Sequence, residues 1–128
     1  MCIRDRSESV SIEPGLPFDE LAQLFRSADL VAYPSYYEGQ GLIPLEAMAS
    51  GTPVVTVDDG PLPEMVDETV GGLFDIDQPE TLADAIKTLL RDHEGRQQMA
   101  KNGRTRVLDE YTYALNAECY AEFYASKD

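Results

Sequence analysis

Two acids, Glu38 and Glu46, bracket the run Glu38-Gly39-Gln40-Gly41-Leu42-Ile43-Pro44-Leu45-Glu46, and their type and spacing are the first sign of chemistry in the chain. Gly39 and Gly41, two apart, let a backbone approach a ligand closely. Pro44 has a fixed φ that suits the first turn of a helix. Leu45 to Ser50 are mostly good helix formers, and Gly51 is a natural stop. The run therefore predicts a glycine loop feeding a helix N-terminus, whose unpaired N–H groups and partial positive charge suit a phosphate. The glycines and Pro44 keep one helix from carrying both acids: Glu38 falls on the loop and Glu46 about one turn inside the helix. A carboxylate accepts two hydrogen bonds and so suits a vicinal diol on a sugar or ribose. Phosphate on the amides with hydroxyls on the flanking acids describes a nucleotide-diphosphate sugar. The plainer alternative is that Glu46 is a first-turn acid favoured by the helix dipole and Glu38 is simply solvated.

The elements that must hold this loop can be read around it. Phe18, Leu21, Ala22 and Phe25 keep a helical period, with Asp19 and Glu20 in the first turn and Arg26 in the last. Val10-Ser11-Ile12 is a short strand candidate ahead of the Pro14-Gly15 turn. Leu30 to Tyr33 reads as a buried parallel strand ended by Pro34, and Pro53 to Val57 as the next. Leu62 to Val66 is a short helix. Gly72 to Ile76 is a fourth strand. Leu82, Ala85, Ile86, Leu89 and Leu90 mark a helix, and residues 94–109 another with mixed charges. On that helix Arg96, Lys101, Arg104 and Arg106 read as a solvated face rather than a phosphate patch. His93, the single histidine, sits in a polar linker between helices and is not a catalytic candidate. Tyr113, Ala117, Tyr120, Ala121 and Tyr124 form a stripe on a last helix. Strands alternating with helices predict an α/β fold, an open parallel sheet with helices on both faces. Ligands bind beyond the carboxyl ends of such strands, which is where Ser35, Tyr36, Tyr37 and the acid loop lie. Ser35 either touches a phosphate or caps a turn. Tyr36 and Tyr37 stack on a sugar or base, or pack.

With 128 residues the chain is one domain at most. Its 43% hydrophobic content is that of a globular protein, and ten basic against 24 acidic residues give a net charge of −14. That balance argues against binding nucleic acid or an anionic membrane through a broad basic face, but not against a phosphate site built from amides. Cys2 and Cys119 lie at opposite ends and suggest no disulfide framework, so a cytoplasmic location is the default. No apolar run approaches 18 residues. Met1-Cys2-Ile3-Arg4-Asp5-Arg6 lacks an apolar stretch after it and does not fit a signal peptide; residues 1–9 are expected to be a disordered or non-native leader.

Pro34-Ser35, then Glu38-Gly39-x-Gly41-Leu42, then Glu46-Ala47-Met48-Ala49-x-Gly51-x-Pro53-Val54-Val55 resembles the signature of glycosyltransferase family 4, the glycosyl transferases group 1, with the acids in E-x7-E spacing. The resemblance runs on through Pro63-Glu64 and Gly71-Gly72-Leu73 to Tyr111, roughly residues 10–125. It implies a retaining glycosyltransferase of hexosyltransferase type with the GT-B fold. Residues 10–110 would be part of the Rossmann-like, donor-binding carboxyl-terminal half, and 111–128 a helix crossing back to an amino-terminal domain. Glu38 would be catalytic, facing the transferred sugar. The amides of Gln40 and Gly41 would approach the sugar and those of Leu42 and Ile43 the diphosphate, while Glu46 would accept the ribose hydroxyls. Ser35, Thr56 and Glu64 are further candidates, although a helix-start role is simpler for Glu64. Gln40 stands where the family usually has phenylalanine, and Tyr113 near its usual tryptophan. Two upstream β-α units with an Arg-Lys pair, and the acceptor domain, have no counterpart here, so the resemblance implies a fragment inactive alone. Membrane contact would come only through that missing domain. Asp75-Ile76-Asp77 is formally a DxD, the cation motif of glycosyltransferases of another fold. Asp77 with Glu80 reads instead as a helix-capping pair, and no cofactor or metal is expected. The alternatives are a non-catalytic nucleotide-binding or interaction module and a related GT-B nucleotide-sugar epimerase.

Overall fold

The computed structural model of the chain describes residues 9–126; the expectation of a loose leader falls mostly outside them. In chain order the elements are α1 (Phe18–Ser27), β1 (Val31–Tyr33), α2 (Leu42–Ala49), β2 (Val54–Val57), α3 (Leu62–Met65), β3 (Gly71–Phe74), α4 (Pro79–Arg91), α5 (His93–Glu110) and α6 (Tyr113–Ala125). The strands make one parallel sheet in the order β1-β2-β3, with Val31 opposite Val54 and Val54 opposite Gly71. All four residues of β2 are buried. Successive side chains point to opposite faces of a strand, so both faces of the sheet are covered at its centre. The α/β class expected from the strand–helix alternation is the one found.

The core gathers on β2 and its helices. Leu45, Ala47 and Met48 of α2, Val54, Val55 and Val57 of β2, Leu62 and Met65 of α3, and Leu89 and Val107 of α4 and α5 belong to it. Val54, Val55, Met48 and Leu62 are fully buried, and each contributes about 1.5–3 kcal/mol relative to an exposed side chain. At Gly103 α5 comes so close to α2 that a Cβ would stand 3.3 Å from Met48 Cγ.

Several expectations are corrected. Val10–Ile12 forms no strand: Val10 and Ile12 are 54% and 60% exposed. Three residues that bury no face and run straight into the Pro14-Gly15 turn have nothing to stabilise them as a strand, so among the described residues the sheet has three strands and not four. β1 is only partly buried, with Ala32 exposed, because it is an edge strand. Asp77 and Glu80 do not cap α4. The helix starts at Pro79 with Gln78 as an N-cap without a side-chain bond. Asp75 organises the turn instead, accepting from the Asp77 amide at 2.9 Å and Gln78 Nε2 at 2.6 Å, while Thr81 Oγ1 donates to the Gln78 carbonyl at 2.7 Å. A short acid one turn earlier reaches the loop amides first.

Of the basic residues expected to form a solvated face on α5, Lys101 is exposed as expected, but the three arginines are engaged by backbone carbonyls. Arg96 donates to the Leu89 and Leu90 carbonyls at 2.8 and 2.5 Å, Arg104 to the Ala49 carbonyl, and Arg106 to the Met65 carbonyl at 3.0 Å and to Asp67 at 2.9 Å. Each guanidinium thus closes the last turn of another helix, where orphan carbonyls collect. His93 opens α5 rather than lying in a linker, its ring beside Gln97 Nε2 at 3.1 Å. The stripe on α6 does not pack on this domain: the helix buries no residue, and Tyr113, Tyr120 and Tyr124 are 91%, 63% and 67% exposed. Cys119 on α6 is a free, exposed thiol. Among the described residues no helix is long and apolar enough to cross a membrane.

Candidate functional site

The site starts where β1 ends. Pro34 stops the strand, and residues 34–41 carry the chain to α2. Gly41 is the N-cap of α2, in the left-handed region at φ 83°, and no side chain caps the helix. A Cβ on Gly41 would stand 2.5 Å from Leu62 Cδ2 and 3.1 Å from Met65 Cε, so α3 underpins this turn and only glycine fits it. Gly39 is different: its backbone is ordinary and a Cβ there would meet nothing within 4 Å. Leu42 and Ile43 are exposed at the helix mouth, and Pro44 and Leu45 are buried behind them. The short helix thus leaves its first two side chains exposed while its body is fixed in the core. Gln40 is exposed beside that mouth.

Glu38 is not merely solvated. The Tyr33 hydroxyl and the Ser35 hydroxyl both donate to its Oε1, Ser35 at 2.9 Å. Ser35 Oγ also reaches the Tyr37 carbonyl at 3.3 Å. The Tyr33 hydroxyl first, then that of Ser35, hold the Glu38 carboxyl below the ordinary carboxylate range, and the Gly41 amide adds to them. The Tyr33 phenol is pushed up, chiefly by the same hydrogen bond. Both shifts keep the proton on tyrosine and the negative charge on Glu38. Tyr33 was not among the residues singled out from the sequence. The signal for it was an aromatic hydroxyl at the last position of a strand, five residues ahead of the acid.

Glu46 is the fifth residue of α2, half-buried, and not a first-turn acid. It lines a groove between α1 and α2 with Phe18, Leu21, Phe25 and Arg26. The two acids therefore meet different neighbours, Glu38 the end of β1 and Glu46 the flank of α1. The structure brings Ser35, Glu38, Gln40, Gly41, Leu42 and Ile43 together around the start of α2, with Glu46 one turn along. It does not bring Thr56 to that surface. Thr56 is fully buried, its hydroxyl donating to the Tyr33 carbonyl at 3.4 Å, so it serves the β1–β2 pairing. Glu64 is an exposed acid in the first turn of α3, the helix that underpins Gly41. Tyr36 and Tyr37 are 80% and 91% exposed beside Glu38, so neither packs.

Beyond β2 and β3, Asp58, Asp59, Asp75 and Asp77 line an open depression. Among the described residues, no group of three or more His, Cys, Asp or Glu has a geometry to hold a metal ion. Four like charges repel a diphosphate, so this part of the rim is unsuited to the anion that the α2 amides suit.

The sequence pattern of the family described as glycosyl transferases group 1 matches residues 5–106. The D-inositol 3-phosphate glycosyltransferase of Corynebacterium diphtheriae is 44% identical over 103 residues, 80% of this chain and 24% of that protein. Among solved structures, Anabaena HepE in complex with UDP superposes with a TM-score of 0.75 at 30% identity, over 81% of this chain and 29% of that one. The carboxyl-terminal domain of a glycosyl transferase group 1 protein from Francisella tularensis gives 0.71 at 33% identity, over 80% of this chain and 53% of that one. The 128 residues thus match only about a quarter of the length of the Corynebacterium relative.

Proposed function

The chain belongs to the glycosyl transferases group 1 family, and on that premise we propose that it is the donor-binding part of a retaining enzyme that moves a sugar from a nucleotide-diphosphate sugar to an acceptor hydroxyl. The GT-B type of fold agrees with this. The observation that carries the proposal is a carboxylate held charged beside the uncapped start of α2.

The roles follow from charge. As the bond between the anomeric carbon and the diphosphate breaks, positive charge grows on the sugar and negative charge on the leaving oxygen. Glu38 faces the first and accepts sugar hydroxyls. The amides of Leu42 and Ile43, with the positive end of the α2 dipole, take the second. The Gln40 amide lies toward the sugar; that of Gly41 already serves Glu38. Glu46 accepts the ribose hydroxyls, and the apolar wall of α1 at Phe18 and Leu21 lies beside it. Ser35 acts on the sugar through Glu38, and Glu64 stands at the margin. No metal has a part, since amides and dipole carry the counter-charge. The acceptor comes from a domain outside these 128 residues, and the polypeptide by itself turns nothing over.

The test is a titration of the isotope-labelled chain with UDP, GDP and ADP, followed by amide NMR. One of them should shift the amides of residues 40–43 first. Saturating shifts elsewhere, or none with any nucleotide at millimolar concentration, would remove the assignment. A labelled-sugar assay of the chain alone should show no transfer.

A further inference from the structure

The end of β1 carries a device that the donor-binding proposal does not explain. Tyr33, Ser35 and Glu38 fall within six residues, yet two hydroxyls from different parts of the turn converge on one oxygen, Glu38 Oε1. Tyr33 is half-buried as the last residue of β1. The strand itself is fixed there by pairing of Tyr33 with Thr56, whose buried hydroxyl also bonds the Tyr33 carbonyl. Ser35 is tied into the same turn through the Tyr37 carbonyl. A glutamate on a surface loop ordinarily samples several rotamers. Here two side-chain donors of fixed origin, with the Gly41 amide beside them, hold one, and Oε2 receives no side-chain donor among the described residues.

We propose that Tyr33 is a positioning residue, acting with Ser35 to pin Oε1 of Glu38 so that Oε2 faces the ligand. The claim that Oε2 meets the transferred sugar rests on the donor-binding proposal above; the clamp itself does not. Tyr33 can donate only while it is a neutral phenol, as tyrosine ordinarily is at physiological pH, and the bond to Glu38 pushes its ionisation higher still. Ser35, a candidate phosphate contact on sequence, is then a support for the acid, its hydroxyl already spent.

The experiment reads the Glu38 carboxyl directly by carbon-13 NMR over an acid titration of the whole chain, with Glu38→Gln to assign the signal. Tyr33→Phe removes one oxygen atom and leaves the ring to fill its place. The Glu38 titration should move up toward the ordinary glutamate value in Tyr33→Phe, and further when Ser35→Ala is added. A merely structural tyrosine would change stability and leave that midpoint where it was. An unchanged midpoint in both variants overturns the clamp, and Ser35→Ala alone decides the matter should Tyr33→Phe fold poorly. A parallel titration with UDP as probe separates the two proposals. Loss of nucleotide binding by the wild-type chain removes the donor site and leaves the clamp standing if the midpoint moves. Binding with an immobile midpoint does the reverse.

Discussion

The two ends of the helices that follow strands are finished differently. At their starts, α2, α3 and α4 have no side-chain cap. At their ends, each is closed by an arginine of α5: Arg104 on Ala49, Arg106 on Met65, Arg96 on Leu89 and Leu90. Of the helices that follow no strand, α5 and α6 start with caps, Asp92 accepting from the Gly95 amide and Thr112 from the Leu115 amide, whereas α1, with Pro17 at its N-cap, has no side-chain cap. In a parallel sheet with helical crossovers the starts lie at the carboxyl edge of the strands and the ends at the other. The sequence thus supplies side-chain partners for orphan backbone groups at one edge and no helix caps at the other. At α2 no side chain caps the helix, and the Glu38 carboxylate takes only the Gly41 amide, leaving those of Leu42 and Ile43 to an anion.

If the open edge is the functional one, its largest effect should appear in chemistry. In a longer chain that also carries an acceptor domain, Glu38→Ala should lower turnover by roughly 10²–10³-fold, the loss typical of a group that meets charge developing in the transition state. Glu46→Ala should mainly raise KM for the donor, by about tenfold or more, with kcat little changed, since it removes ground-state hydrogen bonds to a charged group. Steady-state kinetics of both variants would break the division of roles if the two profiles were alike.

The next effect in size is structural. Gly41→Val adds a β-branched side chain at φ 83°, where its Cβ meets Leu62. The left-handed backbone costs about 1–2 kcal/mol and the overpacking about 1–3. A denaturant midpoint lowered by the equivalent of roughly 2–5 kcal/mol is expected. A midpoint near wild type would mean that α3 does not underpin the loop.

How far this could be read in advance depended on the range of the forces involved. α2 was legible because Pro44 and Gly51 mark it locally, and β2 because Pro53 to Val57 is an unbroken apolar run. The period of Phe18, Leu21, Ala22 and Phe25 gave α1. Contacts made across the fold were not legible. Nothing in the spacing of Arg96, Arg104 and Arg106 says that carbonyls up to 55 residues away await them. Charge at helical spacing looks the same whether its heads lie in water or on another helix. Arg96, with 11% of its side chain exposed, shows the difference. Val10–Ile12 failed for the converse reason, since a strand needs a partner that local sequence cannot name. At the site, the loop, the helix start and both acids were legible, while the Tyr33 bond depended on how the turn at Pro34 folds back.

The closed edge should yield smaller changes. Arg106→Ala removes bonds to the Met65 carbonyl, Asp67 and Thr69, and should cost about 1–2 kcal/mol, discounted because Asp67 is 41% exposed. The Asp67 carboxyl is held below the usual range, first by the Thr69 hydroxyl and then by Arg106. A depressed folded pKa means stability that is present above the ordinary carboxylate value and lost as pH falls through the folded one. Thermal midpoints between neutral and acid pH should therefore fall less steeply in Asp67→Asn than in wild type. Parallel curves would show that the pair does nothing for the fold.

The smallest effect separates capping from packing. Asp92 and Thr112 make the same kind of bond, at 2.9 and 3.3 Å to the third residue on. Local helix energetics alone would give both Ala variants the same cost, about 1 kcal/mol. The two helices differ in what they rest on. α5 buries Gly103 and Val107 and carries the three arginine braces, so fraying its first turn is felt by the whole domain. α6 buries nothing, so it can fray without exposing any core. Asp92→Ala should lower global stability by about 1 kcal/mol. Thr112→Ala should leave it unchanged and speed amide exchange in α6 only. Equal global losses would mean that α6 is coupled to the domain after all, and that its exposed tyrosines belong to the cooperative fold.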